Sequence, residues 1–83
     1  MPQLGMRLRF TQAARSRHRI APSRARHVMA TTIGHPITTR RGRPGVLWVG
    51  ADQDGNVLDV IAALDEDQLI VTHVMPHRWK ERS

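Results

Sequence analysis

The chain has 83 residues, 13 Lys/Arg against 7 Asp/Glu, five His, no Cys, two Trp and one Phe, with a formal net charge of +6 at pH 7. That length supports one small domain with a thin aliphatic core. The missing Cys excludes disulfides and thiolate metal sites, the scarcity of rings excludes a full RNA-stacking platform, and no run approaches the ~18 apolar residues of a membrane-spanning helix. The charge is also uneven: no Asp or Glu precedes Asp52, whereas ten Arg lie between Arg7 and Arg43. So much unbalanced guanidinium charge repels itself unless a polyanion or an acidic partner relieves it.

Residues 1–5 read as a disordered leader, and from Met6 the run Met-Arg-Leu-Arg-Phe alternates like a strand. No apolar run at the start suggests a signal peptide, so a cytoplasmic location is expected. Thr11 is a good N-cap for a two-turn helix ending near Ile20, with Phe10, Ala14 and His18 spaced to share a face. A second helix restarts at Ala21-Pro22-Ser23, with either Pro22 in the first helical position or Ser23 as the cap. Its Ala25, Val28, Met29 and Thr32 form the packing stripe, and Arg24, Arg26 and His27 fall on the other sides.

After Gly34 the period changes to that of strands. Residues 37–41 form a short β-branched run, residues 41–45 a turn, and residues 46–50 a strand. Asp52-Gln53-Asp54-Gly55-Asn56 is the clearest turn, since Asp-Gly and Asn tolerate the positive φ of tight hairpins. Residues 57–64 and 69–75 are two further strands joined by Asp65-Glu66-Asp67, and Pro76 closes the last one. The expectation is an α+β fold in which two short N-terminal helices pack on a three- or four-stranded antiparallel sheet, with a flexible tail over residues 79–83.

Chemistry-bearing residues collect at both ends. Alternation along the last strand puts His73 on the face shared by Leu69, Val71 and Met75, and Pro76 then releases His77 and Arg78 from the sheet. Metal-independent RNA cleavage needs a base for the 2′-hydroxyl, an acid for the leaving oxygen and cations on the phosphorane, roles that His and Arg fill near neutral pH. The plainer alternative is a satisfied sheet histidine followed by a solvated basic tail. Zinc on His73 and His77 falls short of the three or four ligands a site wants, and no cofactor is expected.

Arg15, Arg17, Arg19, Arg24 and Arg26 on the helices, with Arg40, Arg41 and Arg43 in a hairpin loop, form the candidate nucleic-acid-binding set, because the planar guanidinium grips phosphate oxygens bidentately. Arg41-Gly42-Arg43-Pro44 has the core of a minor-groove AT-hook, but its Gly and Pro are explained as turn residues. The turn Asp52–Asn56 resembles a calcium loop too faintly, lacking the twelfth-position Glu. The acids from Asp52 to Asp67 fall mainly in or beside the two turns between strands, where they could keep the far side of the sheet from competing for the same ligand.

Met6-Arg7-Leu8-Arg9-Phe10-Thr11, an Ala-rich helix with Arg15 and Arg17, then Ile20 and Val28, then Gly42-Arg43-Pro44 before an apolar strand, resemble the small toxin-like domains related to the BrnT and RelE-type ribonuclease toxins. The resemblance spans Met6 to Arg78 as a pattern of scattered residues. It implies a RelE/BrnT-like fold, a metal-free ribonuclease acting as the toxin of a type II toxin–antitoxin pair, and a cognate acidic antitoxin in a hetero-oligomer. It also implies site chemistry at Arg40, Arg41, Arg43, His73, His77 and Arg78. Many such domains carry a His where this chain has Ala13, and His18 lies one helical turn beyond Ala14. The alternative from another class is a non-catalytic module using the Arg surface for nucleic acid or an acidic partner protein.

Overall fold

A computed structural model describes residues 7–77. The elements follow as β1 (Arg7–Phe10), α1 (Gln12–Ser16), α2 (Pro22–Thr31), β2 (His35–Thr38), β3 (Pro44–Ala51), β4 (Val57–Asp65) and β5 (Gln68–Pro76). The expected leader and tail, and the candidate Arg78, lie outside the described residues.

The class is α+β, but the sheet corrects the expectation of three or four antiparallel strands. Five strands are ordered β1-β5-β4-β3-β2, and β1 pairs parallel to β5, so the sheet is mixed. Short turns do make β2 to β5 an antiparallel meander. The pairing of the first strand with the last leaves no local trace, because no turn joins them.

Thr11 caps α1 as its hydroxyl predicts, accepting the Ala14 N–H at 3.1 Å. The helix is shorter than expected, ending at Ser16, and Arg19 then takes a left-handed φ of 54° that redirects the chain. His18 therefore falls in the exposed turn, off the face occupied by buried Ala14. For α2 the structure selects Pro22 at the first helical position, where its missing N–H leaves nothing unsatisfied. Ala25 and Val28 are fully buried and Met29 packs against the core, as the stripe requires.

Both helices cover one face of the sheet, α1 over β5 and α2 over β3 and β4. The core between them is Ala14, Ile20, Ala25, Val28, Trp48, Leu58, Val60, Ala62, Val71 and Val74. Its fit is close: a Cβ at Gly50 would collide with Thr32 at the end of α2. Gly42 and Gly55 hold positive φ values of 80° and 87° in the β2–β3 and β3–β4 turns, a conformation that glycine takes without steric cost.

One irregularity governs the site. Ala62 pairs with Val71 but its neighbour Ile61 pairs with His73, so Thr72 is an extra residue in β5, a β-bulge. Strict alternation would put Leu69, Val71, His73 and Met75 on one face. The bulge resets the phase: Leu69, Val71 and Val74 meet the helices, while His73 is exposed and Met75 only half-buried. The face expected for His73 is thus corrected in part: it keeps Met75 but parts from Leu69 and Val71, because one inserted residue inverts every later side chain.

Candidate functional site

The uncovered face of the sheet can be read as cross-strand rows from the register. Arg9, Ile70, Ala63, Gly45 and Ile37 form one row, and His73, Ile61, Leu47 and His35 the next. Met75, Asp59 and Val49 follow. His77 comes last, its backbone N–H donating to the Val57 carbonyl at 2.9 Å.

His77 does not leave the sheet as expected. Its Nδ1 lies 2.6 Å from Asp59 Oδ1, with both side chains about a quarter exposed. A carboxylate only accepts, so Nδ1 carries the proton and Nε2 is the nitrogen that exchanges one. Asp59 belongs to the Met75 row, one row nearer His73. Successive rows are about 7 Å apart along a strand, so the contact draws the His77 ring toward His73.

His73 is oriented by the bulge itself. Thr72 Oγ1 lies 3.4 Å from the Ile61 carbonyl oxygen and 3.0 Å from His73 Nδ1. A hydroxyl has one proton; given to the Ile61 carbonyl, it leaves Oγ1 to accept from His73 Nδ1–H. The lone pair of a neutral His73 then sits on Nε2. Arg9 stands on the same face, on β1 beside β5 and one row from His73.

The basic candidates separate into engaged and unengaged groups. Arg24, placed in the nucleic-acid-binding set by sequence, grips Asp52 instead, with Nε at 2.7 Å and Nη2 at 2.6 Å from Oδ2. Asp52 also accepts the Asp54 and Asn56 N–H groups on Oδ1, at 2.8 and 3.0 Å. Burial pushes the Asp52 carboxyl upward, but these hydrogen bonds and the Arg24 charge outweigh it and hold the pKa below its ordinary value. Arg26 stacks over the Phe10 ring, 5.6 Å from its centroid. Arg43 lies 3.9 Å from Asp65 across a solvated gap, a weak pair.

Arg15 on α1, Arg17 and Arg19 after it, and Arg40 and Arg41 in the β2–β3 turn are exposed. Arg15, Arg17 and Arg19 belong to the helical layer on the covered face, and Arg40 and Arg41 to a turn, so none of them converges with the histidines on the open face. The acids do more than line turns: Asp52 is a buried anchor for Arg24, and Asp59 lies mid-strand against His77. Among the described residues no group of three or more His, Asp or Glu could hold a metal ion.

Two members of the site escaped the sequence reading. Asp59 showed itself only as the one charge inside an apolar strand. Arg9 showed only as an alternating partner of Leu8, and its neighbour β5 is a tertiary fact. No helix is long and apolar enough to cross a membrane among the described residues. No protein-family model, curated protein or solved structure matches the chain.

Proposed function

We propose that this chain is a metal-independent endoribonuclease, the toxin of a type II toxin–antitoxin pair. The observation that carries the reading is the grouping of His73, the Asp59–His77 pair and Arg9 on one open sheet face. In this mechanism His73 Nε2 takes the 2′-hydroxyl proton, and the 2′-oxygen bonds to phosphorus. His77 gives a proton to the departing 5′-oxygen as the P–O5′ bond breaks, leaving a 2′,3′-cyclic phosphate.

Asp59 accepts from His77 Nδ1–H whether the ring is neutral or charged, so the ring's aim survives proton transfer. Arg9 neutralises the phosphorane oxygens, with Arg78 a further candidate from sequence. The exposed Arg40 and Arg41 of the β2–β3 turn hold more distant phosphates, and Arg15, Arg17 and Arg19 on the helical side can serve only an RNA that wraps round the sheet. The cognate antitoxin is an acidic protein that masks this surface.

Incubation of the purified protein with single-stranded RNA, read by gel and by detection of cyclic-phosphate ends, tests the reading. His73→Ala or His77→Ala should lower cleavage about 100-fold or more, and the pH profile should be bell-shaped. RNA left intact by the wild-type protein, with salt-dependent binding retained, would replace this reading with the non-catalytic binding module.

A further inference from the structure

Arg15, Arg17 and Arg19 have no work on the open face, and the charge around them shows what they are free to do. No acid precedes Asp52, so neither helix carries one. Of the acids on the rest of the described chain, Asp52 is engaged by Arg24, Asp59 by His77 and Asp65 by Arg43. Glu66 and Asp67 are exposed, but they stand beside Arg7 at the far end of β1 from α1, four residues or about 13 Å away. Asp54 is the exposed acid nearest the helices, in the turn that Ser23 and Arg24 hold against the start of α2.

Against that one carboxylate the layer sets four exposed guanidinium groups, on Arg15, Arg17, Arg19 and Arg26. None has an ion-pair partner among the described residues, so their mutual repulsion is unrelieved. Arg26 rests over the Phe10 ring, a contact that aims its guanidinium without neutralising it. Arg19 stands in the left-handed region at φ 54°, which glycine takes without cost and arginine only under strain. What arginine adds at that position is one more exposed cation, three residues before α2.

The rest of the surface selects the ligand. Every exposed residue from Gln12 to Thr31 is polar, charged or Ala, since Ala14, Ile20, Ala25 and Val28 are turned into the core. A membrane-binding helix needs an apolar face to insert, and a protein interface an apolar centre; this layer has neither. Nor does it present a ring on which unpaired bases could stack: Phe10 is half-buried under Arg26, and Trp48 lies in the core. Guanidinium groups alone read phosphate oxygens, and a surface that reads only phosphates fits a duplex, whose bases are already paired and stacked.

We propose that the helical layer is a second nucleic-acid site, for the phosphate backbone of a duplex, on the side of the sheet opposite the candidate nuclease face. Arg15, Arg17, Arg19 and Arg26 hold the backbone. Arg24 is withdrawn from it by Asp52. Arg40 and Arg41 are withdrawn by position, because their turn lies at the other end of β3 from Gly50, where α2 ends, about 20 Å away. The site does not rest on the ribonuclease reading: that reading offers these arginines only an RNA that wraps round the sheet, whereas a duplex bound here touches no histidine of the open face.

The test uses the full chain with a short labelled DNA duplex, its RNA counterpart and the single DNA strand, and reads anisotropy over a salt series. DNA lacks the 2′-hydroxyl, so failure of the nuclease reading leaves the result intact. Both duplexes should bind within about threefold of each other and at least about fivefold tighter than the single strand. Arg15→Gln/Arg17→Gln should weaken duplex binding about tenfold or more and lower the slope of log K against log salt by about 2, with the circular dichroism spectrum retained. Arg40→Gln/Arg41→Gln, which removes equal charge at the other end of the sheet, should change affinity less than about threefold. Arg19→Gly should lower the slope by about 1 while the thermal midpoint holds or rises, an outcome that a purely structural arginine would not give.

Amide NMR shifts on adding the DNA duplex should fall on α1 and α2 and spare Ile61 and His73. Absence of salt-dependent duplex binding, equal losses from the two double variants, tighter binding of the single strand, or shifts confined to the open face would overturn the proposal. So would an Arg19→Gly variant that keeps the full salt slope.

Discussion

The two faces of the sheet are made from the same strands yet have opposite fates. On the covered face Leu58, Val60, Val71 and Val74 are at most 2 % exposed beneath α1 and α2. On the open face Ile61, Leu47 and Met75 are comparably apolar but half-exposed, and they share their surface with His73, Asp59 and His77. The buried core thus lies on one side of a sheet that is one residue thick, and the candidate site on the other. Each strand serves both sides, so a site residue can be changed without opening the core.

The sharpest way to break this comparison is to truncate equivalent residues on the two faces. Leu58→Ala should cost about 2–5 kcal/mol by leaving a cavity under the helices, a large share of the roughly 4–12 kcal/mol expected for a chain of this length. Ile61→Ala, three residues along β4 from Leu58 and on the opposite face, should cost about 1 kcal/mol for its partial burial. Urea denaturation measures both. Equal costs would mean that the open face is covered in the free protein.

The next effect is on acid stability, and it isolates the pin between helix and sheet. Asp52 has a folded-state pKa below its unfolded value of about 3.9. A depressed carboxyl stabilises the fold above the unfolded pKa, and that contribution is lost as pH falls through the folded one. Wild-type urea midpoints should therefore drop as the pH is lowered below about 4. Asp52→Asn, which can still accept the Asp54 and Asn56 N–H groups but cannot pair with the Arg24 charge, should start lower and show less of this acid dependence.

The smallest expected effect on stability falls at the bulge. Thr72→Val removes the hydroxyl beside the Ile61 carbonyl and His73 Nδ1 while keeping the branched shape, at about 1 kcal/mol or less. Its effect on cleavage should be larger than its effect on folding, about tenfold, because His73 loses its orienting partner. A rate unchanged within twofold would show that His73 is aimed by its backbone alone.

Several features were legible in the chain because their causes are local. The Thr11 cap depends on an N–H three residues away, and the Asp52–Asn56 turn on a glycine at positive φ and side-chain bonds within four residues. The α2 stripe and the strands from β3 to β5 follow from periodicity. The Arg assignments were legible only in part: sequence gives a charge, but Arg24 and Arg26 had been matched to Asp52 and Phe10 by folding.

Composition and local pattern by themselves determined that this protein is a small basic α+β domain with helices before a hairpin-rich sheet, and that its histidines fall near the end of the last strand. The tertiary structure decided which face those histidines occupy, what orients them and which cations stand beside them. The Arg24–Asp52 pair joins residues 28 positions apart and the Asp59–His77 pair residues 18 apart, and β1 joins β5 from the opposite end of the described chain. Such contacts depend on register and on which strand ends up adjacent. A single extra residue at Thr72 was enough to turn His73 from the core to the solvent, since a pleat of period two has no tolerance for an odd insertion.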